Sequence, residues 1–458
     1  MAALTLGLSV FAGSAWAGAG GLDPAFGVGG IATTPLETAP RVAVELGVGP
    51  DGSVVVGEPS SYLLRLDSSG TIDPAFGDGG KLSLTPDPIA KGVPERSLAS
   101  SNFAVDGTGR LLVFGDQSDP SHTYPIPNTT ENQVATESEA VVLRFGQDGR
   151  LDPSFGEGRG FVRSSFGMQS ALHPGFPSTD ATAGAVDSKN RPVFVVGGAA
   201  IELGCRAGSV TYYPLGLVRL TEAGEIDRHF GAGGVAPISG SSGSPGLGVD
   251  SAARPALGLG HFLRPSVACH PTTALGRLGA NGRPLGGFGS HGTATLKRNL
   301  SFDFVTPSGA MVLGHRSGRT LEIARIGLVG RLDNGFGDHG VAKVRLPGPG
   351  AQVRPVGVDS QGRIVLAGVV GADGAFPVQS SNIAKPPTLA VGRLLRDGRL
   401  DRSLDAGGWI LDRVPGTDEV GVNTAALDPQ GRLLLAATIS APGQTQGGYL
   451  LARFVLGK

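Results

Sequence analysis

Apolar residues fall into short runs, separated by glycine-rich turns, along almost the whole chain. One kind of run is continuous and aliphatic, and it occurs as LLVFG at 111, VFVVGG at 193, IVLAGV at 364 and LLLAAT at 433. Short uninterrupted runs of this kind indicate β-strands that are covered on both faces. Each follows a stretch of small residues that ends in an Asp-containing turn, as in FAVDGTGR at 103 and VGVDSQGR at 356. Asp followed by Ser or Gly favours a hairpin, so the pattern predicts two antiparallel strands.

A third predicted strand carries a single arginine, in segments that read LLRL, VLRF, LVRL, LGRL, IARI, VGRL and LARF. These arginines are Arg65, Arg144, Arg219, Arg277, Arg325, Arg393 and Arg453. Each of the first six precedes a recurring turn by the same number of residues, and a constant spacing indicates a rigid connection.

The recurring turn reads LDPAFGVGG at 22, IDPAFGDGG at 72, LDPSFGEGRG at 151, IDRHFGAGG at 226 and LDNGFGDHG at 332. Its first acidic positions are Asp23, Asp73, Asp152, Asp227, Asp333 and Asp401, whereas Leu285 takes this place in PLGGFGSHG. A phenylalanine stands three positions later, except that Leu404 replaces it in the last unit. A short apolar stretch such as IATTPL at 31 follows the turn and predicts a fourth strand.

Repeated units of four short strands predict an all-β fold, a seven-bladed β-propeller formed as a single domain by residues 21–458. The last unit stops after its arginine strand, and the segment 29–36 is a fourth strand without a unit of its own. We therefore expect the N-terminal strand to complete the last blade, which would cover two exposed strand edges.

The series of LDPxFGxGG, D-x-x-G hairpin, apolar strand and xxRL strand resembles the delta-60 repeat of bacterial secreted and surface proteins, over essentially all of residues 22–458. The resemblance implies a propeller-like array outside the cytoplasm. That family has no agreed catalytic motif, so the resemblance implies no active-site residues. Leu285, Leu404 and the extra Arg159 depart from the repeat pattern.

The recurring residues have a structural and a functional interpretation. In the structural one, each strand arginine donates paired hydrogen bonds to a carboxylate or to carbonyl groups of the adjoining turn. In the functional one, the seven guanidinium groups face an anionic ligand. We favour the first, and it requires Arg277 to find another acceptor, because Leu285 cannot serve. Within the turn we expect Asp to accept from amides two residues on, and Gly to take a left-handed conformation.

Charge and composition narrow the function. The net charge is -1, from 38 basic and 39 acidic residues, and no basic stripe offers the surface that nucleic acid requires. Residues 1–20 read as a signal peptide, ending in the small-x-small pattern Ala15-Trp16-Ala17, or as a disordered leader. The chain is therefore expected to be secreted or at the cell surface, with no transmembrane span.

Long insertions fall on one predicted face of the ring, between the second and third strands (b–c) of a blade or between blades (d–a). They carry the candidate ligand-binding residues His122, Tyr124, His173, Tyr212 and Tyr213, which suggest an unknown saccharide, peptide or protein partner. Loops without a function are the alternative, because long loops cost little closure entropy. Cys205 and Cys269 lie in two of these insertions and are candidates for a disulfide, the alternative being two unpaired thiols.

Motifs for catalysis, metals and cofactors are weak or missing. The chain has no G-x-S-x-G or H-E-x-x-H sequence, and Asp78 or Asp338 in the turns provides too few oxygens for calcium. His291 and His339 read as turn residues. We expect a monomeric, non-catalytic binding or scaffold propeller without cofactor or metal. The alternatives are an extracellular hydrolase or lyase with its site at the channel mouth, and a structural envelope component.

Overall fold

The computed structural model describes residues 20–35, 44–85, 88–89, 97–125, 134–167, 180–197, 201–205, 208–212, 215–238, 246–261, 273–371, 388–405, 407–414, 419–440 and 447–457. The chain forms seven antiparallel blades in a ring, which confirms the predicted seven-bladed β-propeller. Strands a to d of each blade run from the central channel outward.

The strands follow the chain in order. Two short strands come first, β1 (Gly21–Leu22) and β2 (Ile31–Pro35). Blade 1 contains β3 (Glu45–Val48), β4 (Val54–Glu58), β5 (Tyr62–Leu66) and β6 (Lys81–Ser83). Blade 2 contains β7 (Ser97–Val105), β8 (Leu111–Pro125), β9 (Val134–Phe145) and β10 (Phe161–Ser164). Blade 3 contains β11 (Asp180–Val186), β12 (Pro192–Gly197), an added hairpin of β13 (Ile201–Cys205) and β14 (Gly208–Tyr212), then β15 (Leu215–Arg219) and β16 (Val235–Ile238).

The remaining blades repeat the same order. Blade 4 contains β17 (Gly246–Val249), β18 (Pro255–His261), β19 (Thr273–Arg277) and β20 (Thr293–Leu296). Blade 5 contains β21 (Ser301–Val305), β22 (Met311–Ser317), β23 (Thr320–Ile326) and β24 (Val341–Arg345). Blade 6 contains β25 (Gln352–Val358), β26 (Ile364–Val370), β27 (Thr388–Leu394) and β28 (Trp409–Arg413). Blade 7 contains β29 (Glu419–Leu427), β30 (Leu433–Ser440) and β31 (Gly447–Val455).

The N-terminal strand closes the ring, as predicted. β2 pairs antiparallel with β31, from Ile31 opposite Ala452 to Pro35 opposite Gly448, and becomes the outer strand of blade 7. β1 adds a second, unanticipated contact to the same strand, with Leu22 opposite Phe454. The innermost strands contact one another in sequence from blade 1 to blade 7 and back to β3.

The hydrophobic core lies between the blades rather than at the centre of the ring. Between blades 7 and 1, for example, Leu434 and Leu451 pack with Val54 and Leu66, and each of these side chains is fully buried. The b strands supply much of this core, and every residue of β12 is buried. Burial on both sides explains why these strands are continuous apolar runs instead of alternating ones.

The two faces of the ring differ. On what we call the turn face lie the c–d connections and the a–b turns, which span 49–53, 106–110, 187–191, 250–254, 306–310, 359–363 and 428–432 and are equally long in every blade. The opposite loop face carries the b–c and d–a connections, and these vary in length. The insertions expected as loops at 116–138 and 199–213 are partly strands, since β8 and β9 extend into the first and β13 and β14 form most of the second. Backbone hydrogen bonding along these segments makes hairpins of them.

Candidate functional site

The strand-c arginines meet the aspartates of the c–d turn, eight residues on in blades 1, 2, 3, 5 and 6. In each case Nε of the arginine faces Oδ2 of the aspartate. The pairs are Arg65–Asp73 at 3.4 Å, Arg144–Asp152 at 2.8 Å, Arg219–Asp227 at 2.9 Å, Arg325–Asp333 at 2.8 Å, Arg393–Asp401 at 2.8 Å and Arg453–Asp23 at 2.8 Å.

The same guanidinium groups also reach the following blade. Each donates through Nη1 to a backbone carbonyl in the next c–d connection or, for Arg393, just after β31. The acceptors for Arg65, Arg144, Arg219, Arg325, Arg393 and Arg453 are Gln147, Glu222, Ala280, Arg396, Leu456 and Ser68. We call the arginine, its aspartate and this carbonyl the inter-blade latch. A charged group that bridges two blades couples their packing.

The phenylalanine and glycine of the turn complete the latch. The Arg144 guanidinium lies 4.5 Å from the ring centroid of Phe155, and similar stacking recurs in blades 3, 5 and 7. Gly77 has a φ of 59°, and its backbone N–H donates to the backbone carbonyl of Asp148 in blade 2 at 2.8 Å. A Cβ at Gly149 would lie 2.6 Å from that amide nitrogen, so the next blade needs glycine there.

Arg277 is the exception in blade 4. Leu285 stands where its aspartate would be, and Arg277 instead donates through Nη2 to Asp250 in the a–b turn of its own blade. Its Nε and Nη1 have no hydrogen-bond partner among the described residues, although the residue is fully buried. Burial accordingly lowers the pKa of Arg277, and the charge of Asp250 opposes this shift.

The predicted ligand-binding residues are only partly within the described structure. The backbones of His122 and Tyr124 belong to β8, and that of Tyr212 ends β14, but their side chains are outside the described part. His173 and Tyr213 lie outside the described residues. Cys205 ends β13 opposite Gly208, whereas Cys269 is outside the described residues. The structure therefore places His122, Tyr124 and Tyr212 on hairpins of neighbouring blades.

Charged side chains on the innermost strands were not identified from the sequence. Glu45 lies on β3, Asp303 on β21 and Arg354 on β25. A signal was present, because the a strands otherwise consist mainly of small, apolar and uncharged polar residues, and a charge inside SFDFV or QVRPVGV breaks that pattern.

Asp303 is a half-buried acid with one carboxylate oxygen shielded from solvent. Burial raises its pKa to about 7, and the positive charge of Arg354 on the adjacent blade opposes the rise only partly. Its Oδ2 has no hydrogen-bond partner within the described part of the chain. A Cβ at Gly314 would lie 2.7 Å from this atom, so the neighbouring strand leaves just enough room for the carboxyl group.

Glu45 is a second such acid, on the innermost strand of blade 1. Burial raises its pKa to about 7. The backbone N–H of Phe103, which donates to Oε2 at 3.2 Å, lowers the pKa and so opposes this rise. That bond joins the inner strands of blades 1 and 2. Both acids therefore change charge near neutral pH.

A cavity of about 250 Å³ opens between the inner strands of blades 6 and 7. Its polar lining consists of Arg316, Gln352, Arg354 and Thr424, and its apolar lining of valines and alanines from β25, β26 and β29. Gln352 begins β25 and Arg316 lies near the end of β22, so the cavity is on the loop-face side of the channel. Among the described residues, no group of three or more His, Cys, Asp or Glu side chains is arranged to hold a metal ion.

These features define the class of protein as a seven-bladed β-propeller whose blades are joined by latches. Residues 49–76 match a family described as "Domain of unknown function (DUF5122) beta-propeller". The match runs from the a–b turn of blade 1 through β4 and β5 into the c–d turn. No curated protein matches the chain significantly. In the described part of the chain, no helix has the length and apolar character to cross a bilayer.

Several solved structures are similar to this chain at low identity. The putative oxidoreductase (glucose dehydrogenase) of Thermus thermophilus shares 13% identity over 80% of this chain and 100% of that one, with a TM-score of 0.39. The PQQ-bound aldose sugar dehydrogenase of Streptomyces coelicolor shares 14% over 76% and 96%, with a TM-score of 0.37. Regucalcin, a calcium-binding protein of Agrobacterium tumefaciens, shares 10% over 73% and 85%, with a TM-score of 0.33. These likenesses do not bear on what this chain binds.

Proposed function

We propose that this propeller is a non-catalytic binding or scaffold protein that engages its ligand or partner through the loop face. The difference between the two faces carries the proposal. The turn face repeats the same short turns and joins them by latches, whereas the loop face differs from blade to blade. Variable connections on a rigid scaffold are where binding residues usually lie.

The surface proposed for binding is formed by the β8–β9 hairpin of blade 2 and the β13–β14 hairpin of blade 3. Its candidate contact residues are His122, Tyr124, His173, Tyr212 and Tyr213. Aromatic and imidazole side chains suit a saccharide, a peptide or a protein surface, because they combine an apolar body with a polar atom. The protein acts as a monomer and without a cofactor in this proposal.

A thermal-shift screen of the whole chain tests the proposal, with saccharides, peptidoglycan fragments and peptides as probes. A ligand at 100 times its dissociation constant stabilises the folded state by about 2.7 kcal/mol. The shift should disappear when Tyr212 and Tyr213 are both changed to Ala, and should persist in His229→Ala, which alters an exposed histidine on the turn face. Equal loss in both variants, or no shift with any probe, would count against the loop face.

We infer further that the units are delta-60 repeats and that the protein is exported. The family match over residues 49–76, a part of blade 1, supports the first inference, and Ala15-Trp16-Ala17 after an apolar run supports the second. Export would allow a Cys205–Cys269 disulfide. Amino-terminal sequencing of the mature protein should begin after Ala17, and non-reducing peptide mass spectrometry should recover the linked peptides. Full alkylation of both thiols without reductant would exclude the bridge.

A second candidate function is catalysis at the channel mouth, by a hydrolase or lyase. One observation favours it: Asp303, on the innermost strand of blade 5, is a half-buried acid with a pKa raised to about 7, which suits a general acid or base. Assays of the whole chain against glycosidic and ester substrates, with Asp303→Asn and the exposed Asp78→Asn in parallel, separate the candidates. Turnover that only Asp303→Asn abolishes would favour the enzyme.

A further inference from the structure

The cavity between blades 6 and 7 has one apolar wall and one polar wall. Its apolar lining is Val353, Val356, Ala367, Val422 and Ala425. The polar side is formed by Arg316, Gln352, Arg354 and Thr424. At about 250 Å³ the space is below the usual range for drug-sized ligands, so it suits a small molecule or a single terminal side chain.

Gln352 places an unpaired side-chain donor beside the cavity. The residue is 7% exposed, and its Nε2 has no hydrogen-bond partner within the described part of the chain. Native proteins seldom leave a buried amide nitrogen without a hydrogen-bond partner. Gln352 lines the cavity, so rotation of its amide about the last side-chain torsion would turn this nitrogen towards an acceptor group of a ligand placed there.

The charges around the cavity favour an anion. Arg316 and Arg354 both line it, and no acidic side chain is among the described lining residues. The Arg316 side chain contacts the backbone carbonyl of Ala351 through Nη1 at 3.3 Å, which holds the guanidinium over the start of β25. Asp303 acts on Arg354 from the adjacent blade but does not line the cavity.

We propose that this cavity binds the carboxylate of a small ligand with a branched aliphatic body. Arg316 and Arg354 hold the carboxylate oxygens, and the Gln352 amide donates to one of them after that rotation. The valines and alanines contact the aliphatic part. Guanidinium groups match carboxylates in geometry as well as charge. A free branched-chain acid and the C-terminal residue of a peptide ending in valine share this chemistry. The site is separate from the hairpins of blades 2 and 3, so either proposal can fail without the other.

Isothermal titration calorimetry of the whole chain tests the proposal with four probes: 3-methylbutanoate, its neutral analogue 3-methylbutanamide, N-acetylvaline and inorganic phosphate. We expect saturable binding of the acid and weaker or undetectable binding of the amide and of phosphate. If N-acetylvaline binds more tightly than the free acid, the natural source is a peptide C terminus, and the reverse order indicates a free acid.

Variants locate the site. Arg354→Gln and Arg316→Gln should each weaken binding of the acid by about tenfold or more, since each removes a charge-assisted hydrogen bond. Ala425→Leu should abolish binding by filling the cavity. Arg319→Gln is the matched control, because Arg319 is exposed on the β22–β23 connection and does not line the cavity.

Each variant is compared with the wild-type protein by its melting temperature, so that loss of folding is not read as loss of binding. Arg354→Lys provides a second, conservative variant, which keeps the charge and should retain weaker binding. The proposal is overturned if no acid binds, if the amide binds as well as the acid, or if Arg354→Gln and Ala425→Leu bind like the wild-type protein.

Discussion

Arg453, in the last strand of the chain, is paired with Asp23 near its beginning, with Nε 2.8 Å from Oδ2 across 430 positions of sequence. Its Nη1 also donates to the carbonyl of Ser68 in blade 1. The two ends of the chain are therefore joined by the same inter-blade latch that links neighbouring units elsewhere. Closure of the ring combines this latch with the pairing of β2 and β31.

Deletion of residues 1–36 should destabilise the protein and promote association. The deletion removes β1, β2 and Asp23, which exposes the edge of β31 and leaves Arg453 buried without its carboxylate. We expect a lower melting temperature and higher-order species in size-exclusion chromatography. Deletion of residues 1–19 alone should behave like the wild-type protein. A monomeric 1–36 deletion that melts normally would show that the closure contributes little.

Breaking one latch should cost far more than breaking a surface ion pair. Arg144 is 1% exposed, so Asp152→Ala leaves a buried charge without its partner, and we expect a loss of about 3 kcal/mol in the free energy of unfolding. The control is Asp397→Ala, whose partner Arg399 has a side chain 79% exposed, so that its loss should be far smaller than that of Asp152→Ala. Urea unfolding of both variants provides the measurement. Similar losses in the two would indicate that the latch is not a structural device.

The incomplete latch of blade 4 can be repaired. Leu285→Asp places a carboxylate where six other units have one, within reach of Arg277 Nε, which has no partner among the described residues. We expect a gain of about 1 kcal/mol in the free energy of unfolding, close to the net value of one intramolecular hydrogen bond. Leu285→Ala should give no gain, because it removes apolar contact and adds no acceptor. Destabilisation by Leu285→Asp would mean that Asp250 already meets the needs of Arg277.

Asp303 should make the protein less stable as the pH rises towards neutrality. Its pKa is raised to about 7 in the folded state, from an ordinary value near 4, so the folded state holds the proton more tightly than the unfolded state. The associated stability is present below pH 4 and is lost as the pH rises through 7. Asp303→Asn should therefore melt like the wild-type protein at pH 4 and on the order of a few degrees higher at pH 8.

Asp78→Asn, which alters an exposed carboxylate in the turn of blade 1, is the control for this pH series. The pKa of Glu45 is raised in the same direction, so the stability of the Asp303→Asn variant should still depend on pH to some extent. If Asp303→Asn and the wild-type protein differed equally at pH 4 and pH 8, burial would not control the ionisation of Asp303.

Repetition explains how much of this structure was predictable. The spacing of Arg144 and Asp152 recurs in several units. The blade, its turn and the closure of the ring could therefore be predicted from the repeated sequence. The channel residues do not recur. Asp303 and Arg354 come from different blades and have no counterpart at equivalent positions, so only the three-dimensional arrangement brings them together. The cavity beside Gln352 depends on the packing of β25 and β29, which a repeat pattern does not specify.

The turn face should hold the ring together, while the loop face is free to serve binding. The melting temperature of a variant in which residues 199–213 are replaced by a short Gly-Ser turn tests this division. Gly197 and Leu215 are already paired across strands b and c, so a tight turn can join them. We expect a change of less than about 2 °C, far smaller than that of Asp152→Ala. A loss as large as that of Asp152→Ala would contradict the claim, because the hairpin would then be part of the fold.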